Sequence, residues 1–257
     1  MANHTAVLYS SNSYGVTDIA KLAARESYLF GLSFLLRQRL PGTVPPFSPN
    51  IHNRQLPLVV LVPGYLEKPG CFAALYEDLL WSGVRVALYQ PRYTLAGISD
   101  MAQHFTEYLD HLLNQPHCQN ANTYLVGHSM GGLIVRRAMA ERWNSGLPVQ
   151  HLFTLATPNN GTQMAHLGVG ECVLDMLPGS EFLVRLNEDD QTHRNRMSSV
   201  IATPDCLILN ARNAELEGAN NLVLEGSGHM ALLDDPRTAG VLQRRMQTDH
   251  PHQLVGA

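Results

Sequence analysis

At 257 residues, with 45% hydrophobic and 16% charged side chains, the chain is long enough to bury one large α/β core. A formal charge of −4 and the lack of a basic stripe with interleaved aromatics exclude a nucleic-acid-binding reading. The four cysteines (Cys71, Cys118, Cys172 and Cys206) are too far apart for a metal-ligand cluster; reduced thiols are the plain reading and a Cys172–Cys206 disulfide the alternative.

The first residues show no basic start, early apolar core or small-residue cleavage site, so a cytoplasmic location is expected. A helix is predicted over 18–40, capped by Thr17 or Asp18 and stopped by Pro41-Gly42. Its apolar stretch, Tyr28 to Leu36, falls far short of the roughly 20 residues that cross a bilayer. The helix therefore packs on the domain or lies on a membrane surface. A proline-rich linker ends this N-terminal part, 1–56, and the domain proper is expected over 57–257.

Leu58 to Val62 reads as a buried strand, Cys71 to Trp81 as a helix and Val84 to Tyr89 as a second strand. Ile98 to Asn114 follows as a helix, with Ile98, Met101, Phe105, Tyr108, Leu109 and Leu112 at helical spacing. Further strands are predicted at Tyr124–Val126, His151–Ala156, Cys206–Leu209 and Asn221–Glu225, and a closing helix at Arg237–Thr248. This alternation predicts a mainly parallel sheet with helices on both faces and ligands beyond the carboxyl ends of the strands. Residues 162–200 break the rhythm with two short amphipathic helices around Pro178-Gly179. They read equally as a small cap or lid over the site and as ordinary crossover helices.

Gly127-His128-Ser129-Met130-Gly131 sits between the Tyr124–Val126 strand and an apolar helix. A serine on such a turn is a nucleophile elbow, where the flanking glycines are steric requirements; the bland reading is a glycine-rich turn containing a serine. The Met130 amide would open the helix and donate to an oxyanion. A serine hydroxyl needs a base. Of the twelve histidines, His229 in Gly226-Ser227-Gly228-His229-Met230 lies on a glycine-flanked loop after a strand and follows the serine as the order serine-acid-histidine demands. His128 is expected to shape the elbow. Pro63-Gly64-Tyr65, after the first buried strand, should supply a second oxyanion donor from the Tyr65 amide. No dinucleotide-binding glycine triplet or clustered metal-ligand pattern is seen, so neither cofactor nor metal is expected.

Together with Leu155-Ala156-Thr157-Pro158-Asn159-Asn160-Gly161-Thr162, these motifs resemble the α/β-hydrolase superfamily, within it the bacterial triacylglycerol lipases and carboxylesterases. The resemblance covers 57–235 and departs at Pro63, where such enzymes usually carry a structural histidine. It implies Ser129 as nucleophile, His229 as base, and the Tyr65 and Met130 amides as oxyanion hole. It also implies an acid after the strand preceding that of His229, taken here as Cys206–Leu209. Asn213 stands where an aspartate is expected; Glu215 is the first choice, with Glu217, Asp205 and Asp175 as alternatives. The implied activity is carboxylic ester hydrolysis through an acyl-enzyme on a small-molecule or lipid ester. Acyl transfer by the same machinery and a catalytically impaired binding protein are the alternatives.

Overall fold

The structure, a computed structural model, describes residues 5–8, 44–92 and 94–250. The helix expected over 18–40 lies outside the described residues. Strand β1 is Thr5–Leu8, β2 Leu58–Val62, β3 Arg85–Leu88, β4 Thr123–His128, β5 Val149–Leu155, β6 Met197–Thr203 and β7 Asn220–Glu225. They form one seven-stranded sheet in the order β1-β7-β6-β5-β4-β2-β3, and every pairing is parallel. The sheet expected from the alternation of elements is therefore present, with the added edge strand β1.

The apolar run of β2 shows no polar alternation because both of its faces are covered. Leu58, Val60 and Val62 pack with Phe105 and Leu133, whereas Val59 and Leu61 pack with Phe72, Leu75 and Leu242. Helices α2 (Ile98–Leu113) and α3 (Met130–Ala140) thus cover one face. Helices α1 (Ala73–Trp81) and α6 (Pro236–Asp249) cover the other. Each of these fully buried aliphatic side chains is worth about 1.5–3 kcal/mol.

One strand lies elsewhere than its sequence suggests. Cys206–Leu209 is a bend, and Leu209 is exposed. Asp205 Oδ1 accepts the amides of Leu207 and Ile208, both at 2.7 Å, which curls the chain where four apolar residues looked extended. The strand before β7 is instead β6, whose serines are satisfied inside the protein: Ser198 Oγ is 2.9 Å from His151 Nε2, and Ser199 Oγ donates to Ala214 O at 2.7 Å. The segment between β5 and β6 holds a 3-10 turn (Gln163–Leu167), α4 (Cys172–Asp175), α5 (Glu181–Asp189) and a second 3-10 turn (Gln191–Arg196). Residues from Met197 onward, read with this insertion in the sequence, belong to the sheet.

Chain that precedes β2 forms one margin of the sheet, alongside β7, and covers the other, alongside β3. β1 pairs along β7 from Thr5↔Asn221 to Leu8↔Leu224. On the far side Phe47 bridges Ala87, Ser48 N donates to Val86 O at 2.9 Å and Leu88 N donates to Pro46 O at 2.8 Å. No disulfide joins the four cysteines, so the Cys172–Cys206 pairing is not formed. Among the described residues no helix is long and apolar enough to cross a membrane.

Candidate active site

Ser129 links β4 to α3 with φ 51° and ψ −125°, a conformation that costs a non-glycine residue about 1–3 kcal/mol. The turn is held by a 2.8 Å bond from Ser129 N to Leu155 O and by contacts that admit no side chains around it. A Cβ on Gly127 would lie 2.4 Å from Gly131 O, and one on Gly131 would lie 2.3 Å from Val62 O. These close backbone approaches are what the two glycines permit. Met130 is the first residue of α3, so its amide has no acceptor within the helix and lies at the positive end of the helix dipole.

The loop after β2 lies against this turn: a Cβ on Gly64 would fall 2.8 Å from Ser129 Cβ. Gly64 N donates to Glu67 Oε2 at 2.7 Å and Glu67 N returns a 3.2 Å bond to Gly64 O, closing a tight turn around Tyr65. The Tyr65 hydroxyl donates to Val169 O and accepts from Val169 N, each at 2.9 Å, joining this loop to the segment between β5 and β6.

His229, 1% exposed, lies on the loop after β7. Its carbonyl is 3.0 Å from His128 Nε2, which brings the loop to the elbow across the width of β5 and β6. Its Nδ1 lies 2.8 Å from Asp205 Oδ2 and 3.0 Å from Asp205 Oδ1. Burial alone would raise the Asp205 pKa, but His229 and the Leu207 and Ile208 amides outweigh it and hold the carboxyl below its ordinary value. The Asp205 and His229 loops are also laced together by a Gly226 N bond to Thr203 O at 2.7 Å and a Thr203↔Ser227 bridge.

The carboxylate on His229 is therefore Asp205, and Glu215, the first choice from the sequence, sits elsewhere. Glu215 follows a 3-10 turn at Ala211–Ala214, where its carbonyl accepts from Asn160 Nδ2 at 2.8 Å. The misassigned strand explains the difference: with β6 ending at Thr203, the following loop begins at 204, eleven residues before Glu215. Asn213 donates to Gly161 O at 3.0 Å, Asp175 accepts the Ile98 amide at 2.7 Å and so caps α2, and Glu217 is exposed. The sequence signal for Asp205 is an acid two residues beyond a strand, hidden because that strand is rich in serine.

The segment between β5 and β6 is fastened at its far end by buried charge. Arg136 of α3 and Asp190, after α5, are both 0% exposed and bond through Nε and Oδ2 at 2.9 Å. Asp190 Oδ1 also accepts from Arg194 Nε at 2.7 Å, and Arg136 donates to Asn159 Oδ1 at 3.1 Å and Asn187 Oδ1 at 2.7 Å. At its near end Leu167, Val169 and Leu174 are 78%, 62% and 63% exposed.

Glu67, His128 and His229 bring potential metal-ligand atoms within 4.8 Å of one another, a cluster that spacing in the sequence does not reveal. Both ring nitrogens of His128 are engaged, Nδ1 with Glu67 and Nε2 with the His229 carbonyl, so this donor set is built for hydrogen bonding and not for a cation.

A parallel sheet with a serine elbow after an inner strand, and a histidine–aspartate pair on the loops of two later strands, is the α/β-hydrolase fold. Residues 93–210, which include Ser129 and Asp205, match the model of the PGAP1-like alpha/beta domain family. No curated protein sequence matches the chain. Among solved structures it is similar to the lipase BlEst2 of Bacillus licheniformis, with a TM-score of 0.63 and 18% identity, over 80% of this chain and 96% of that one. It is also similar to lipase B of Aspergillus fumigatus, with a TM-score of 0.63 and 15% identity, over 79% of this chain and 54% of that one. Est1E of Butyrivibrio proteoclasticus gives a TM-score of 0.56 at 17% identity, over 75% of this chain and 88% of that one.

Proposed function

We propose that the protein is a serine hydrolase that cleaves carboxylic esters through an acyl-enzyme. The observation that carries this reading is the meeting of Asp205, His229 and the strained Ser129 elbow at the carboxyl ends of the strands. Ser129 Oγ attacks the ester carbonyl carbon as His229 takes its proton. The carbonyl oxygen becomes an oxyanion facing the Met130 and Tyr65 amides, each worth roughly 3 kcal/mol in such a position. Asp205, ionised through its contact with the ring, offsets the imidazolium charge. His229 then gives the proton to the departing alkoxide, leaving the acyl group on Ser129. Water, deprotonated by the same imidazole, adds to that ester and releases the acid.

The exposed Leu167, Val169 and Leu174 favour an ester presented at an apolar surface, and the fold is shared with two proteins named as lipases. Against the alternative of a catalytically impaired binding protein, the support for this reading is a carboxylate 2.8 Å from the His229 ring. Replacing Ser129 with alanine should abolish turnover of chromogenic esters and covalent labelling by a fluorophosphonate while leaving the fold intact. Turnover unchanged in that variant would overturn the proposal. Rates over an acyl series from acetate to palmitate, below and above the micellar limit, identify the ester class.

A further inference from the structure

The structure points to a second buried acid–histidine pair beneath the first. Glu67 and His128 are 8% and 0% exposed, and His128 Nδ1 is 2.9 Å from each Glu67 oxygen. The other ring nitrogen, Nε2, lies 3.0 Å from the His229 carbonyl oxygen. A carbonyl only accepts, so Nε2 carries a hydrogen. Glu67 Oε2 already accepts the Gly64 amide at 2.7 Å and faces the Cys71 thiol at 3.7 Å, the surroundings of an ionised carboxylate. A hydrogen on Nδ1 as well would make the contact an ion pair between the ring and that carboxylate.

We propose that this Glu67–His128 ion pair is a positioning device for the hydrolytic site, a role that rests on the reading of Ser129 and His229 given above. The pair connects to three separate pieces of that site, two by hydrogen bonds and one through the chain. Through the Gly64 amide it fixes the loop carrying the Tyr65 amide; His128 is itself the neighbour of Ser129; and through the carbonyl of residue 229 it holds the base loop. The last connection matters because β7 lies three places from β4 in the sheet, so no strand pairing fixes His229 relative to Ser129. The His128 and His229 rings lie 4.9 Å apart between centroids, and Phe72 closes the other side of His128 edge-on at 6.5 Å. A fully buried ion pair is a poor source of stability compared with apolar packing, but breaking it leaves an uncompensated charge. Its value here is geometric, since a misplacement of about 1 Å can cost about 10²-fold in rate.

The test uses the whole protein. Glu67→Gln and His128→Gln should each lower kcat on a soluble ester by about 10²-fold with KM changed less than about twofold, and should slow fluorophosphonate labelling of Ser129 to match. The double variant Glu67→Gln/His128→Gln, which removes both charges at similar volume, should recover melting temperature but not kcat. Folded variants whose kcat and labelling rate stay within about twofold of wild type would overturn the inference. A readout on the unmodified chain stands beside this: with 15N-labelled histidine, both His128 nitrogens should show one-bond couplings to protons at neutral pH, and a single protonated nitrogen would refute the ion pair. Wild-type protein that is not labelled at Ser129 would instead bring down the hydrolase reading itself.

Discussion

Asp205 Oδ2 lies 2.8 Å from His229 Nδ1, with the two side chains 3% and 1% exposed. The carboxylate is also gripped by the amides of Leu207 and Ile208, so it cannot turn away from the ring without losing two further bonds. Orientation of the imidazole is thus set by a carboxylate that is itself immobilised.

Replacing Asp205 with asparagine keeps the shape but withdraws the charge, and should lower kcat by up to about 10⁴-fold with the fold retained. Replacing Glu215 with glutamine should leave kcat within about twofold of wild type, as expected of a side chain away from the site. Steady-state kinetics on one ester compare the two; equal losses would reverse the assignment.

Stability should carry the signature of the same carboxyl. Its folded pKa is held below the ordinary 3.8, because His229 and two amides outweigh burial. A depressed carboxyl contributes stability that is present above its unfolded pKa and is lost as pH falls through the folded value. The urea midpoint of wild type should therefore exceed that of Asp205→Asn by more at about pH 6 than at about pH 3. A gap that widens on acidification would contradict the direction of the shift.

Gly131→Ala should unfold the elbow more than any ordinary glycine change, because the added Cβ would meet Val62 O at 2.3 Å and Pro63 O at 2.6 Å, both backbone atoms. Overpacking of this kind costs about 1–3 kcal/mol or more, or about 2–4 °C in melting temperature per kcal/mol for a chain of this size. Gly240→Ala, within α6 and 3.4 Å from only the flexible Arg244 tip, should move the melting temperature upward by the helix preference for alanine, about 0.5–1 kcal/mol.

Two neighbouring aspartates should differ sharply in calorimetry. Asp190→Asn leaves the buried Arg136 guanidinium uncompensated and should cost about 3–5 kcal/mol. Asp189→Asn breaks only the 45%-exposed pair with Arg137 and should cost less than about 1 kcal/mol.

Tyr65→Phe removes both bonds to Val169 while leaving the Tyr65 amide in place. Exchange of the Val169 amide with deuterium should quicken by about tenfold, the equivalent of one lost hydrogen bond. Unchanged exchange would mean that the phenol does not restrain this segment.

The strands buried on both faces were readable as unbroken apolar runs: β2, β5 and most of β4 lie where the sequence places them. β6 was not readable, because Ser198, Ser199 and Thr203 interrupt its run, and only tertiary partners such as His151 and Ala214 make them acceptable inside a sheet. The opposite error arose at Cys206–Leu209, whose four apolar residues are curled by the acid just before them. One displaced strand placed the expected acid at Glu215, whereas the carboxylate against His229 is Asp205. The motif glycines were legible because they bracket the serine at fixed spacing, although only the Gly127 constraint is local, against Gly131 and Gly132, while that of Gly131 is set by Val62 and Pro63. The Glu67–His128 pair was not, since it joins positions 61 residues apart that no spacing rule connects.

The placement of Thr5–Leu8 beside β7 and of residues 46–48 beside β3 has a bearing on any attempt to shorten this protein. A chain begun at Leu58 would keep Ser129, Asp205 and His229, yet it would bare the amide and carbonyl rows of β7 on one flank and β3 on the other. Two unguarded rows on one molecule are templates for end-to-end association with further copies. Trimming the N-terminus should therefore show itself first as self-association into high-molecular-weight species, before any loss of chemistry.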